Sequence, residues 1–299
     1  MRIEDKVVLI TGGAAGIGRA LAQRFHGEGA AGVAVADLDE ARVADVASAI
    51  GGLAIAADVS NEEEIRRAVH LTEERFGPID LLCSNAGILF TDAPGWTAAS
   101  QTDEQWDTIW KVNVMAHVWG ARAVLPGMIR RGGGYLLHTA SAAGLLSQIG
   151  DASYSTTKHA AIGFAESVAI THGDQGIKVS VLCPQAVDTA MLRAATGAPD
   201  GEELAAEAAP DGKDRAAGAA RVDGVLTAEE VAAAAVEGLR EERFLILPHP
   251  RVSEYQRRKA SDYDRWLAGM RRFRRSLFPD DGIMRFGDAA GPDVPAQDP

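Results

Sequence analysis

The sequence predicts an α/β fold, a doubly wound parallel sheet with helices on both faces, built as a single domain. Three observations lead to that fold class. Short apolar runs recur between residues 6 and 248 without polar alternation, as strands covered on both faces require. Helical patterns separate most of them, the spacing of strand–helix–strand crossovers. The first apolar run opens onto a glycine-rich turn and then a helix.

Residues 6–10, KVVLI, form the first strand. The turn after it reads Thr11-Gly12-Gly13-Ala14-Ala15-Gly16-Ile17-Gly18. Its glycines permit a tight bend, and the amides at the next helix's N-terminus are free to meet a phosphate. The helix RALAQRFHGEG leads to a second strand, residues 32–37, ending on Asp37, nineteen residues past Gly18. A carboxylate so placed accepts hydrogen bonds from ribose hydroxyls. Strand, glycines, helix and acid in this register favour a dinucleotide site over a glycine turn without a ligand.

The alternation continues. LDEARVADVASAI is helical, residues 53–60 a strand, and NEEEIRRAVHLTEERFG a helix whose acidic first turn suits its dipole. Residues 79–87 form a fourth strand ending in a polar turn. Residues 103–131 form one long helical stretch with Asn113 inside the apolar run KVNVMAHVWGA, where a polar amide either bends the helix or serves a site. Residues 133–141 form a fifth strand delivering Ser141, and residues 177–184 a sixth. A helix at 227–242 with a Thr N-cap and a last strand at 244–248 follow. Residues 252–278 are expected as one amphipathic helix, docked on this or a neighbouring subunit, with Arg271, Arg272, Arg274 and Arg275 on it.

Composition excludes several functions. With 299 residues, 46% hydrophobic and 24% charged, the chain is an ordinary globular protein. A net charge of −12 and pI near 5.1 argue against a nucleic-acid surface. Cys83 and Cys183 lie in apolar strands and read as inert buried thiols. His138, His159 and His172 lack metal-ligand spacing, so no metal is expected. With no signal-peptide core and no apolar run of membrane-spanning length, a cytoplasmic protein without a membrane partner is expected.

The chemistry lies in residues 141–158, SAAGLLSQIGDASYSTTK. Tyr154 and Lys158 are one helical turn apart and project from one face. A phenol has a pKa near 10, and a nearby ammonium favours the phenolate and brings it toward the working range. Ser141 is placed to hold a substrate oxygen. Such a set suits proton transfer at a carbonyl.

Together these motifs resemble the single-domain short-chain dehydrogenase/reductase family over about residues 5–250. They are Thr11-Gly12-x-x-x-Gly16-x-Gly18, Asp58-Val59, Asn85-Ala86-Gly87, Asn113, Ser141, Tyr154-x-x-x-Lys158 and Pro184 with Thr189. The resemblance implies a Rossmann-type sheet, an NAD cofactor and a homo-oligomer of two or four copies. It makes Tyr154 the general acid/base, with Lys158 lowering its pKa and holding the nicotinamide ribose. Ser141 then polarises the substrate oxygen and Asn113 positions a water relaying protons to Lys158. The expected cofactor wall is Gly12, Ala14, Ala15, Gly16, Ile17, Gly18, Asp37, Leu38, Asp58, Val59, Asn85, Ala86, Gly87, Pro184, Val187 and Thr189, with Tyr154 and Lys158. NAD is expected over NADP because Asp37 opposes a 2′-phosphate and neither Ala15 nor Leu38 is basic. Two positions depart from the family pattern: Ser84 stands for an asparagine and Gln185 for a glycine.

The expected reaction interconverts a mostly apolar secondary alcohol and its ketone. A non-catalytic NAD-binding regulator has no need of the phenol. A nucleotide-sugar epimerase or dehydratase usually carries Gly-x-x-Gly-x-x-Gly and a larger C-terminal domain. Specificity is expected in loops 88–102, 142–151 and 190–226, with Trp96, Leu145, Leu146, Ile149, Met191 and Leu192 as candidate pocket residues. The catalytic domain is expected over 1–286, with a mobile lid at 194–226 and a disordered tail at 287–299.

Overall fold

The computed structural model describes residues 1–92, 98–196 and 221–277. Among these, seven strands form one parallel sheet: β1 (Val7–Thr11), β2 (Gly32–Asp37), β3 (Leu53–Ala56), β4 (Leu81–Ser84), β5 (Gly134–Thr139), β6 (Ile177–Leu182) and β7 (Leu245–Ile246). Their order is β3-β2-β1-β4-β5-β6-β7. The chain winds outward from β1 to β3, then returns to place β4 on the other side of β1. That reversal opens a crevice beyond the carboxyl ends of β1 and β4, where ligands bind in such sheets.

All five residues of β1 are buried, and they feed two cores in alternation. Val8 and Ile10 face a layer formed by Leu21 and Phe25 of α1 (Gly16–Gly27), Val43 of α2 (Glu40–Ala49), and Val231 and Val236 of α9 (Ala228–Arg240). Val7 and Leu9 face Val69 of α3 (Glu62–Phe76), Val124 and Met128 of α5 (Ala116–Arg130), and Ala165 of α7 (Ala152–His172). Full burial of side chains such as Leu9 and Phe25 stabilises by about 1.5–3 kcal/mol each. This two-sided burial explains the unbroken apolar runs.

Predicted strands overshoot the ladder at their carboxyl ends. Residues 57–60, 85–87, 140–141 and 183–184 lie past the strand ends, although Ala57, Ala140 and Cys183 each still donate one backbone hydrogen bond to the neighbouring strand. The crevice wall is itself buried, so composition does not mark where pairing stops. The helix expected over 103–131 is broken by a π turn, Lys111–Met115, between α4 (Asp103–Trp110) and α5.

The single helix expected at 252–278 is two: α10 (Arg251–Ser261) and α11 (Tyr263–Leu277). Asp262 between them is extended (φ −159°, ψ 94°), and its Oδ1 accepts from the Arg265 amide at 2.9 Å, starting α11 afresh. Two short helices border the crevice, α6 (Ala143–Leu146) and α8 (Ala190–Thr196). Among the described residues no helix is long and apolar enough to cross a membrane. Most of the lid expected at 194–226, Phe278 and the tail lie outside the described residues.

Candidate active site

The crevice is a cavity of about 680 Å³. At one end lies the glycine turn. Gly12 has φ +67°, and a Cβ there would stand 2.7 Å from Ala86 Cα. Asn85 locks this turn to β4: its Nδ2 donates to the carbonyls of Thr11 (3.1 Å) and Gly12 (3.2 Å). Thr11 Oγ1 accepts in return from the amides of Asn85 (3.1 Å) and Ala86 (3.2 Å). Gly18 fits because a Cβ would collide with the Gly12 carbonyl.

Asp37 ends β2 facing this turn. Its Oδ2 accepts from the Ala14 amide at 3.0 Å and its Oδ1 from the Asp39 amide at 3.3 Å. The carboxylate is fixed by backbone and still lines the cavity. Turn, backbone amides and acid fit a dinucleotide: a phosphate beside the helix, a ribose beside the acid. Arg42, the nearest downstream cation, is engaged by Asp39 at 3.3 Å.

Most of the predicted cofactor wall converges here. Gly12, Ala15, Gly16, Ile17, Asp37, Asn85, Ala86, Gly87, Pro184, Val187 and Thr189 all line the cavity. Ala14, Gly18, Leu38, Asp58 and Val59 stand beside or behind the lining. Leu38 is 71% exposed, and Asp58 Oδ1 accepts from the Ser60 amide at 2.8 Å. Val59 packs against Ile65 and Val112.

At the other end Ser141, Tyr154 and Lys158 share the wall, all buried. Ser141 follows β5, and Tyr154 and Lys158 lie on the first turns of α7. Ser141 Oγ donates to the Pro184 carbonyl at 3.4 Å and accepts from the Ala143 amide at 3.1 Å, and Lys158 Nζ lies 5.5 Å from the phenol ring's centre. Lys158 Nζ donates to the Thr139 carbonyl at 3.1 Å. Burial pushes the phenol up to about 12, opposed in part by the nearby Ser141 hydroxyl. Burial also lowers the lysine to about 8. The expected downward pull on the phenol is therefore outweighed by desolvation.

Asn113 sits in the π turn, behind the lining. Its Oδ1 accepts from the Ile88 amide at 2.9 Å, and its Nδ2 donates to the Ile88 carbonyl (2.9 Å) and to Thr157 Oγ1 (3.1 Å). Thr157 Oγ1 donates to the Tyr154 carbonyl at 2.9 Å. A Cβ on Gly87 would stand 3.2 Å from Lys158 Nζ and 3.3 Å from Asn113 Oδ1, so the two groups flank one point. The π turn and Asn113 thus brace the loop after β4 against α7.

The substrate side differs from expectation in its walls. Leu146, Ile149, Met191 and Leu192 line it as anticipated. Leu145 instead packs inward, its carbonyl accepting from Lys259 Nζ at 2.7 Å. Trp96 lies outside the described residues. Tyr255 on α10 and Trp266, Met270 and Phe273 on α11 form an unanticipated roof. Their helical spacing was visible, but not that they face the crevice. At Gln185 the amide donates to His249 Nδ1 at 3.1 Å and φ is not positive, so the chain needs no glycine there. His138 is paired by Nδ1 with Nδ1 of His117 at 2.8 Å, deep in the protein.

The family model for short chain dehydrogenases matches residues 6–199. The chain is 34% identical over 253 residues to 1-deoxy-11-beta-hydroxypentalenate dehydrogenase of Streptomyces exfoliatus, covering 82% of this chain and 84% of that one. It is 33% identical over 208 residues to levodione reductase of Leifsonia aquatica, covering 67% and 76%. A solved short-chain dehydrogenase/reductase from Burkholderia phymatum, in complex with NAD, superposes with a TM-score of 0.76 at 28% identity, covering 88% of this chain and 96% of that one.

Proposed function

This chain belongs to the short-chain dehydrogenase/reductase family and is an NAD-dependent oxidoreductase acting on CH–OH groups, and we propose that its substrate is a mostly apolar secondary alcohol or the matching ketone. One observation carries the reading: Ser141, Tyr154 and Lys158 line the same cavity as the glycine turn and Asp37. Apolar side chains dominate the rest of its substrate side.

Bound NAD supplies the hydride acceptor, and NADH the donor. The chain's own groups handle the proton. Ser141 Oγ and the Tyr154 phenol, side by side on the cavity wall, together hold the substrate oxygen. In reduction the phenol gives its proton to that oxygen; in oxidation the phenolate takes it. Lys158, close to the phenol ring, stabilises the phenolate and binds the neighbouring ribose. Asn113 fixes Ile88 and the catalytic helix so that this geometry persists, and it anchors the proton relay behind Lys158.

One catalytic unit through residue 286 is part of the same reading. A cytosolic location is supported by two buried, unpaired thiols at Cys83 and Cys183. Assembly into two or four copies is supported by Trp110 and Ile170, large side chains left 40% and 84% exposed. Light scattering of the purified protein tests the assembly.

The direct test of function is NADH formation on a panel of cyclic and polycyclic secondary alcohols. Turnover is expected with apolar members and not with highly charged ones. A clear preference for charged alcohols would contradict the pocket reading.

A further inference from the structure

One buried acid in the cavity is not used by the chemistry above. Asp151 is 3% exposed and lines the substrate side among Leu146, Ile149 and Met191. It precedes the catalytic helix, three residues before Tyr154, a spacing that puts both side chains on neighbouring ground. At the helix N-terminus its carboxylate makes no capping hydrogen bond. That task falls to Asp92, whose Oδ1 accepts from the Ala152 amide (3.3 Å) and from Gln101 Nε2 (3.1 Å).

Among the described residues the Asp151 carboxylate receives one hydrogen bond, from Gln148 Nε2, itself a cavity-lining side chain. The nearby charge that acts on it is Asp92, a second buried acid, and among the described residues no cation offsets it. Burial first, and Asp92 second, raise its pKa to about 7. A buried carboxyl without a cation or a structural task is costly to keep. In an apolar pocket, a few convergent polar groups fix ligand orientation.

We propose that Asp151, with Gln148 beside it, binds a second hydroxyl on the substrate, making the preferred substrates apolar secondary alcohols or ketones that carry another hydroxyl a few carbons from the reacting one. A hydroxyl both donates and accepts, so it satisfies Asp151 in either protonation state. A keto or ether oxygen satisfies only the acid form. Asp151 is thus a specificity-determining residue that turns the ring so that one hydroxyl meets Tyr154 and the other meets the acid. This inference rests on the oxidoreductase reading and deepens it.

The test compares kcat/KM for matched pairs: decalin-2-ol and cyclohexanol against their diols, and against the analogues with an amine in place of the second hydroxyl. The wild-type enzyme is expected to prefer at least one diol over its plain alcohol, and the ratio to fall ~10- to 100-fold in Asp151→Leu. Asp151→Asn, which keeps donor and acceptor atoms in place, is expected to retain part of the ratio. NADH binding, followed by fluorescence, confirms that each variant is folded. A merely structural role lowers both members of a pair together and leaves the ratio unchanged; that result overturns the proposal, as does a wild-type preference for the plain alcohol or for the amine. Turnover of plain alcohols without diol preference removes only this inference, whereas no turnover of any member removes the oxidoreductase reading with it.

Discussion

Asn113 and Ile88 exchange a reciprocal pair of hydrogen bonds, amide to Oδ1 and Nδ2 to carbonyl, each 2.9 Å long. The pair fixes the loop after β4, which passes between Lys158 and the glycine turn. Asn113→Ala leaves both half-buried Ile88 backbone groups without this partner, at a cost of about 0.5–1.5 kcal/mol for each. Urea denaturation should show a lower midpoint, and kcat should fall with it because the loop borders the reacting end. Asn113→Asp restores only the acceptor and should lie between. Unchanged stability and kcat in Asn113→Ala would remove the bracing role.

Tyr154→Phe deletes one oxygen. Its kcat should fall by about 10²–10⁴, the usual contribution of a positioned acid or base, while NADH affinity stays nearly constant. Lys158→Ala should damage both. Near-normal turnover in Tyr154→Phe, measured beside a cofactor titration by fluorescence, would show that the phenol is not the acid.

The pH dependence follows from burial. Lys158, lowered to about 8, is charged below that pH and neutral above it, while Tyr154, raised to about 12, keeps its proton over the working range. Ketone reduction needs the protonated phenol and the charged lysine. Its kcat/KM should therefore be level below about pH 8 and fall as pH rises through it. Oxidation needs the phenolate beside a charged lysine, so its kcat/KM should rise with pH up to about pH 8 and level off above it, where growth of the phenolate is offset by loss of the lysine's charge. A reduction profile that stays level well above pH 8 contradicts the lysine's place in the site.

The sheet was legible because β1, β2 and β4–β6 are buried on both faces and carry unbroken apolar runs. The Ser141, Tyr154 and Lys158 set was legible because two of its members share one helical turn and the third ends a strand. The phenol's raised pKa was not legible: the motif displays the lysine's charge but not the depth of burial opposing it. The π turn at Lys111–Met115 was half legible, since Asn113 stood out in an apolar helix but its partner Ile88 lies on another element. The break at Asp262 had a local signal, an aspartate starting a helical run, masked by the continuous amphipathic pattern on either side.

That break has a functional consequence. It folds α11 back so that Trp266, Met270 and Phe273, spaced on one helix face, roof the substrate side. Trp266→Ala should raise KM for a bulky apolar substrate about 10-fold, on the order of 1.4 kcal/mol, and change kcat less. The affinity for NADH should not move, because the roof stands over the other end. Equal KM values for bulky and small alcohols before and after the substitution would show that α11 does not touch the substrate.

Cofactor choice turns on Asp37. Its carboxylate is held by the Ala14 and Asp39 amides and cannot swing away from the ribose site without losing both. A 2′-phosphate there meets a like charge and removes the hydroxyl donor that the carboxylate would accept from. The neighbouring positions offer no compensation: Ala15 and Leu38 are apolar, and Arg42 pairs with Asp39. The clash is worth about 2–3 kcal/mol, roughly 30- to 150-fold in affinity. NAD should thus exceed NADP in kcat/KM by about that factor. Asp37→Ala should narrow the gap chiefly by weakening NAD, because it removes an acceptor for the ribose and frees the Ala14 amide, yet supplies no positive charge for a phosphate. Measuring kcat/KM with both cofactors on both proteins decides it: equal values in the wild type, or a gap that survives Asp37→Ala intact, would place cofactor selection elsewhere.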